Sequence, residues 1–594
     1  MKSRQTSRLL PVGRLRFGLL GLVVCGLLTA AGCGRAQQTI GALAPAGVDA
    51  ADDTPASTID SGSPGTPDAA VDIGGGDHVS PTLVPEWNCG PTCYRAPEVP
   101  ALPRPETRFG GPIDTNAADK PTIVYPFAGA LYPVNLADLT VQWRRAPGGA
   151  QHLFRIRVTA PPGNGLVHFD FLVPCGQPPD SMVPEECIYA LPPGAWLETV
   201  GKNRGQQMDV SIAAVDSTVG KNLQVATSDS LRLDVSPDSL EGGLYFWSSK
   251  ISGMYRLLFG ARHAQAFVSP RTAVDPTICA GCHSVSLNGN VLAFTAGNDP
   301  EGSLVVTKGS DPGAAFFAMS STPNSSTVAV NPDGTRVLVL SQGQLVLHDT
   351  SDGNVLLTVD PALLGTDRVG YFPEWAPDGK EVVVTLATKT DNDYTVHDGS
   401  IAMLPYDAGA FGAARIVAEE STTDFNYYPT WSPDGKWIAF ATAHVGPGQV
   451  SYTQPGSRLR LVARDGGRIY ELAKATHLQD HGSTWPKFAP FSQSNNNIFF
   501  ITFNSKIDYG FILKNSASLP DGVKLPQLWL TAIDLRDLST GDPSRPPLWL
   551  PFQDVEQSNH LASWTERLGC PTTGETTGCA EDEVCDKDQY CVRP

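Results

Sequence analysis

Positive charge is in short supply in this chain. Its 594 residues carry 43 Lys and Arg against 61 Asp and Glu, a formal net charge of −18. So acidic a surface repels phosphate backbones and anionic headgroups, which excludes nucleic acid as a partner. Long apolar runs are also missing: beyond residue 31 none is long enough to cross a bilayer as a helix. Hydrolase signatures are absent too. There is no Gly-x-Ser-x-Gly elbow, no His-Glu-x-x-His and no phosphate-binding Gly-x-x-x-x-Gly-Lys-Ser/Thr. A serine peptidase, a zincin and a P-loop enzyme are each disfavoured on that ground, and the chain reads as something other than a hydrolytic enzyme.

What the chain has in plenty is turn formers, with 58 Gly and 50 Pro. That supply suits many short strands rather than long helices. The N-terminus is the one basic region: Lys2, Arg4, Arg8, Arg14 and Arg16 precede an apolar run from Phe17 to Ala31, too short for a spanning helix. The run ends in Leu28-Thr29-Ala30-Ala31-Gly32-Cys33, which resembles a bacterial lipobox. The resemblance implies a signal peptide over 1–32, lipidation of Cys33 and a protein tethered to the membrane by that anchor. Loss of five basic side chains with the signal takes the formal charge to about −23. Residues 33–85, rich in Ala, Gly, Pro, Ser, Thr and Asp, read as a disordered acidic tether. The expected location is the cell envelope of a Gram-negative bacterium, at the outer membrane on its periplasmic or surface face.

Twelve cysteines support export. Cys25 leaves with the signal, and the ten others besides Cys33 fall into local groups: Cys89 and Cys93, Cys175 and Cys187, Cys279 and Cys282, and Cys570, Cys579, Cys585 and Cys591. Local clusters with an even total read as disulfides of an oxidising compartment. A Cys175–Cys187 bridge closes a loop of about 13 residues and contributes about 3 kcal/mol on the chain-entropy model. The first pair pins a Pro-rich segment, 86–119, and the last four make a disulfide knob over 567–594, its connectivity open.

Between these ends the pattern is β throughout. Leu139–Trp143, His152–Val158, Val167–Leu172, Met208–Ala213 and Leu231–Val235 alternate as short strands between turns. With one early Trp, residues 120–237 resemble an immunoglobulin- or fibronectin-like sandwich. His152 and His168 read as surface or cross-strand residues there. The rest repeats. Phe372-Pro-Glu-Trp-Ala-Pro-Asp-Gly379 and Tyr428-Pro-Thr-Trp-Ser-Pro-Asp-Gly435 are copies, each followed by an apolar strand. Val330–Gly334, Trp485–Pro490, Cys282–Gly289 and Leu561–Trp564 are more divergent copies, at spacings suited to four-stranded blades. In Pro-Asp-Gly the Pro presets the turn, the Asp bonds the backbone and the Gly accepts positive φ, so those Asp residues read as turn formers. The repeat resembles that of TolB-type β-propellers, aromatic-Pro-x-Trp-Ser-Pro-Asp-Gly-Lys-x-Ile-Ala-Phe. The resemblance implies an all-β chain with a six-bladed propeller over 243–566, its last copy closing the ring with Gly243–Trp247 and Tyr255–Phe259.

Cys279-Ala-Gly-Cys282-His283 is the strongest chemical motif. Two thiols at this spacing, followed by an imidazole, are what covalent attachment of haem c requires. On this reading Cys279 and Cys282 hold haem, His283 is the proximal ligand, and His560 or Met254 is the sixth. Such a site serves electron transfer or redox sensing with an envelope redox partner. The alternatives are zinc on Cys279, Cys282, His283 and His560, or a plain Cys279–Cys282 disulfide in a scaffold that binds a protein or a polysaccharide. His263, His481 and Met319 are lesser ligand candidates. In the repeat register Cys282 takes the aromatic position and His283 the Pro position, so His283 and His560 are expected to meet near the channel mouth.

Overall fold

The computed structural model describes residues 85–592, apart from 100–103, 148–150, 161–167, 180, 217–223, 270–279, 298–301, 320–324, 391–394, 447–450, 452–454, 477–481, 513–523, 571–578, 580–583 and 586–589. The segment read as a signal, Cys33, nearly all of the segment read as a tether, and Cys279 therefore lie outside the described residues.

Residues from 93 to 235 form two sheets. One runs, in spatial order, Cys93–Arg95, Phe169–Val173, Leu153–Thr159, Gln207–Val215, Leu231–Val235 and Leu131–Tyr132, with Ala226–Thr227 paired beside Gln207–Val215. The other holds Thr122–Tyr125, Thr140–Arg144 and Glu186–Ala190. The alternation legible in the sequence is what these sheets bury: Phe154, Ile156 and Val158 point inward from one strand, and Trp143 meets Phe154 at 5.2 Å between ring centres. The Pro-rich segment is not separate from this body, because Cys93–Arg95 pairs in parallel with Phe169–Val173. One element runs against the strand pattern. Pro193–Lys202 is a helix that starts on Pro, where a missing N–H costs nothing, and buries Ala195, Trp196, Thr199 and Val200 along one stripe. Disulfides join Cys89 to Cys93 and Cys175 to Cys187.

From Gly243 onward, six four-stranded sheets succeed one another among the described residues, one of them with an added two-residue strand. Their innermost strands are Ala280–Val285, Ser325–Val330, Arg368–Trp375, Asp424–Trp431, Thr484–Gln493 and Asn559–Thr565. Each innermost strand packs on the next, and the last packs on the first. The circle is a β-propeller. Its closure comes from both ends of the region: Asn559–Thr565 pairs antiparallel with Gly243–Ser248, which continues into Gly253–Leu258 and Gln265–Val268. Thr565 Oγ1 reaches the Ser286 carbonyl at 3.0 Å, and the Glu566 N–H reaches that of Leu287 at 2.8 Å, fastening the last inner strand to the first.

The repeat motif has a physical reason at each position. Every innermost strand slips register with its partner near the aromatic-Pro dipeptide. Phe372, Tyr428, Trp485, Leu561 and Cys282 adopt left-handed backbone there, with φ between 47° and 53°. A bulge of this kind leaves a residue unpaired in the ladder, which is where a Pro without an N–H is tolerated inside a sheet. The motif tryptophans tie sheet to sheet: Trp375 Nε1 donates to the Ala329 carbonyl at 3.1 Å, and Trp431 Nε1 to that of Glu374 at 3.3 Å. The turn aspartates behave as expected. Asp434 accepts from Ser432 Oγ and the Lys436 N–H, and Asp333 from Asn331, Thr335 Oγ1 and the Thr335 N–H.

The two bodies are bolted together. Gln142, fully buried, accepts from the Phe511 N–H at 2.7 Å and donates to the Tyr509 carbonyl at 3.1 Å. Tyr125 accepts from the Trp549 N–H at 3.0 Å and meets Tyr509 edge-on, while Tyr509 stacks on Trp549 at 4.2 Å. Arg262 pairs with Asp138 at 3.3 Å nearby.

Candidate functional site: the central channel

The bulges turn the aromatic position of each inner strand toward the propeller axis, and there a cavity of about 190 Å³ opens. One wall is aromatic. Tyr428 stacks on Trp485 at 3.7 Å between centres, and Phe372 meets Tyr428 edge-on at 4.4 Å. Tyr428 and Phe372 are buried, whereas Trp485 is half-buried. The facing wall carries the smaller side chains that replace the aromatic in other copies: Cys282, Thr327 and Leu561.

Two residues after the aromatic comes the variable x position of the motif. Along the chain it is Ser284, Ala329, Glu374, Thr430, Lys487 and Ser563, all lining the cavity. Glu374 and Lys487 form an ion pair across the channel. Glu374 Oε1 is held from the next sheet, accepting from Thr430 Oγ1 at 2.7 Å and the Trp431 N–H at 2.9 Å. Ser284 Oγ accepts in the same way from the Val330 N–H at 3.0 Å. The x side chain is therefore an inter-sheet staple in these copies, and Glu374 spends one of its two oxygens on that task. The Glu374–Lys487 pair escaped the sequence reading. Its trace is visible there, since Phe-Pro-Glu-Trp and Trp-Pro-Lys-Phe put opposite charges at one repeat position.

Of the sequence-predicted ligands, Cys282 sits at a bulge and lines the cavity half-buried, and Cys279 and His481 are outside the described residues. His283, only 3% exposed, donates from Nε2 to the Tyr245 carbonyl at 3.1 Å. A carbonyl only accepts, so the proton is on Nε2 and Nδ1 carries a lone pair, and Nδ1 has no protein partner. Burial lowers this imidazole from 6.5 to about 4, with the Lys487 charge adding to the effect against the Tyr245 hydrogen bond. His560 stacks on Trp247 at 4.5 Å. Its imidazole is also lowered, to about 3, by burial first and then by His283. His560 keeps part of its surface in solvent, which tempers the burial effect there.

Met254 pairs with Trp247 from the other side and is wholly buried in an apolar cluster with Tyr245, Phe267, Leu292 and Phe294. His263 is exposed, and Met319 ends the strand Asp311–Met319. Among the described residues, the group of three His, Cys, Asp or Glu ligand atoms within 4.8 Å of one another is Cys570, Cys579 and Cys591. Those sulfurs belong to the knob, where Cys570 bonds Cys585 and Cys579 bonds Cys591.

The chain is similar to β-propeller proteins. A TolB candidate from Agrobacterium tumefaciens matches with 15% identity and a TM-score of 0.30, covering 55% of this chain and 98% of that one. A chain of a nidogen/laminin complex matches with 12% identity and a TM-score of 0.31, covering 52% and 99%. Oligogalacturonate lyase in complex with manganese matches with 13% identity and a TM-score of 0.28, covering 51% and 72%. No family model and no curated protein matches the sequence. The likenesses concern the fold only, and the assignment of a propeller stands on the sheet order itself.

Proposed function

We propose that this protein is a non-catalytic binding scaffold: a six-bladed, TolB-like propeller whose channel cavity takes a ligand, with an immunoglobulin-like sandwich fixed to its flank. The lipobox-like Leu28–Cys33 supports anchoring by lipid on Cys33 to the Gram-negative outer membrane. The observation that carries the reading is the channel itself. It offers an aromatic wall on which Trp485 is half-buried and a staple-held ion pair, groups that recognise a ligand by stacking and hydrogen bonding. At about 190 Å³ the cavity falls below the roughly 300–1,000 Å³ of pockets for drug-sized ligands, so a porphyrin enters only by displacing its lining.

A second reading, haem c on Cys279 and Cys282, rests on the CxxCH motif and on the unengaged Nδ1 of the neutral His283. Against it, the Nε2–H of His283 is committed to Tyr245, and Met254 is sealed in apolar packing. Zinc at the same residues is a variant of this reading. The two readings separate on one experiment. The mature chain is made with the cytochrome c maturation machinery, and its pyridine haemochrome spectrum and intact mass are recorded. A colourless chain without added mass is expected. A c-type spectrum with one haem, abolished by Cys279→Ala plus Cys282→Ala, overturns the scaffold reading and makes the protein an electron carrier.

A further inference from the structure

We propose that the channel cavity binds a single neutral sugar ring, such as the terminal hexose or N-acetylhexosamine of a polysaccharide. The inference rests on the scaffold reading and names its ligand class. Size is the first argument. The cavity, about 190 Å³ and open on one side, is sized for a small polar ring rather than for an extended ligand.

Charge is the second argument. Glu374 and Lys487 neutralise each other, and the other x positions, Ser284, Ala329, Thr430 and Ser563, are uncharged. An anion entering this space meets Glu374, Glu566 at the lining and a chain of net charge −18. A cation has to compete with Lys487 for a carboxylate already held by Thr430 and Trp431. A neutral ligand faces neither penalty. What the pair has left over is mixed in kind. Lys487 has three N–H donors and one goes to Glu374, while the Oε2 of Glu374 retains acceptor capacity beyond Lys487. Hydroxyl groups, which both donate and accept, answer that mixture better than a carboxylate or an ammonium does.

The third argument is the pair of unlike walls. Trp485 is backed on one side by Tyr428 and is still only half-buried where it lines the cavity, which suits the apolar C–H face of a pyranose. Opposite lies Thr327, 6% exposed, whose hydroxyl has no protein partner. A buried hydroxyl left unmatched costs free energy, and a turn about the Thr327 Cα–Cβ bond would present it to a ligand hydroxyl at the cavity wall.

The test uses the mature chain in saturation-transfer NMR and calorimetry with the methyl α-glycosides of glucose, galactose and mannose and with N-acetylglucosamine. Glucuronate and glucosamine serve as charged controls. At least one neutral sugar is expected to bind with a Kd on the order of 1 mM, since one ring makes few contacts. Lys487→Met and Trp485→Phe should each weaken it about tenfold. Thr327→Val, which leaves the ion pair and the aromatic wall untouched, guards against a folding artefact and should weaken it about threefold with a melting temperature no lower than the parent's. The proposal is overturned if none of the four neutral sugars binds, if a charged control binds more tightly, or if binding survives all three substitutions. A colourless chain that ignores sugars loses only this ligand class, whereas a haem spectrum removes the scaffold reading whatever the sugars do.

Discussion

Gln142 is the residue on which the union of sandwich and propeller can be tested. It lies in Thr140–Arg144, wholly buried, with its amide clamped on the Tyr509 carbonyl and the Phe511 N–H. The clamp is close: a Cβ at Gly510, which has φ +58°, would lie 2.2 Å from Gln142 Oε1. Gln142→Ala strands one backbone donor and one backbone acceptor in a place water does not reach. Each such group costs about 1–3 kcal/mol, so the substitution should cost about 4 kcal/mol. At roughly 2–4 °C per kcal/mol for a cooperative unit of 150–250 residues, the first calorimetric transition should fall by about 8–16 °C. Gln142→Glu keeps an acceptor for Phe511 but sets an oxygen against the Tyr509 carbonyl, and it should be at least as damaging. The assay is differential scanning calorimetry of the protein, with limited proteolysis between residues 236 and 242 to report separation of the bodies. A Gln142→Ala protein that melts within about 2 °C of the parent, and is cut no faster, would refute the claim that this amide joins the two bodies.

Three further outcomes are expected. His283 is neutral in the fold, its imidazole lowered to about 4, whereas the unfolded chain takes up the proton near 6.5. Its contribution to stability is thus complete above pH 6.5 and is lost as pH falls from there toward 4, by about 3 kcal/mol in all, and urea melts should show a shallower pH slope for His283→Gln over that window. A chain ending at Ser558 lacks the closing strand and should lose the propeller's cooperative transition, whereas one ending at Glu566 should keep it. Replacing Cys33 with Ala should release the protein from membranes on fractionation, and unchanged partition would sink the lipid anchor.

The propeller was largely legible because its repeat carries turn chemistry, Pro-Asp-Gly, beside a bulky tryptophan, and both are local requirements that survive divergence. The first copy shows how far this extends. Asn288 stands where other copies have Asp, and it still accepts from Ser286 Oγ and the Asn290 N–H. Other features were hidden because they depend on distant partners. Nothing near Gln142 announces Tyr509, and Pro193–Lys202 sits among alternating segments whose period masked its helical stripe. The left-handed backbone at Phe372, Tyr428 and Trp485 contradicts the usual preference of bulky residues, so no propensity argument finds it. Glu374 and Lys487 lie more than a hundred positions apart and become neighbours only when the circle forms.

That circle imposes an order of events on synthesis. Gly243–Ser248 is made before any of the five sheets that follow, yet its inner neighbour Asn559–Thr565 is nearly the last of the propeller to be made. A chain emerging N-terminus first therefore carries an open sheet edge through the whole passage from Ser248 to Asn559. Unpaired edges of that kind recruit other strands. The protein should thus depend, while it is being made, on whatever keeps nascent β-edges apart, and stalled or prematurely ended chains should be its aggregating species.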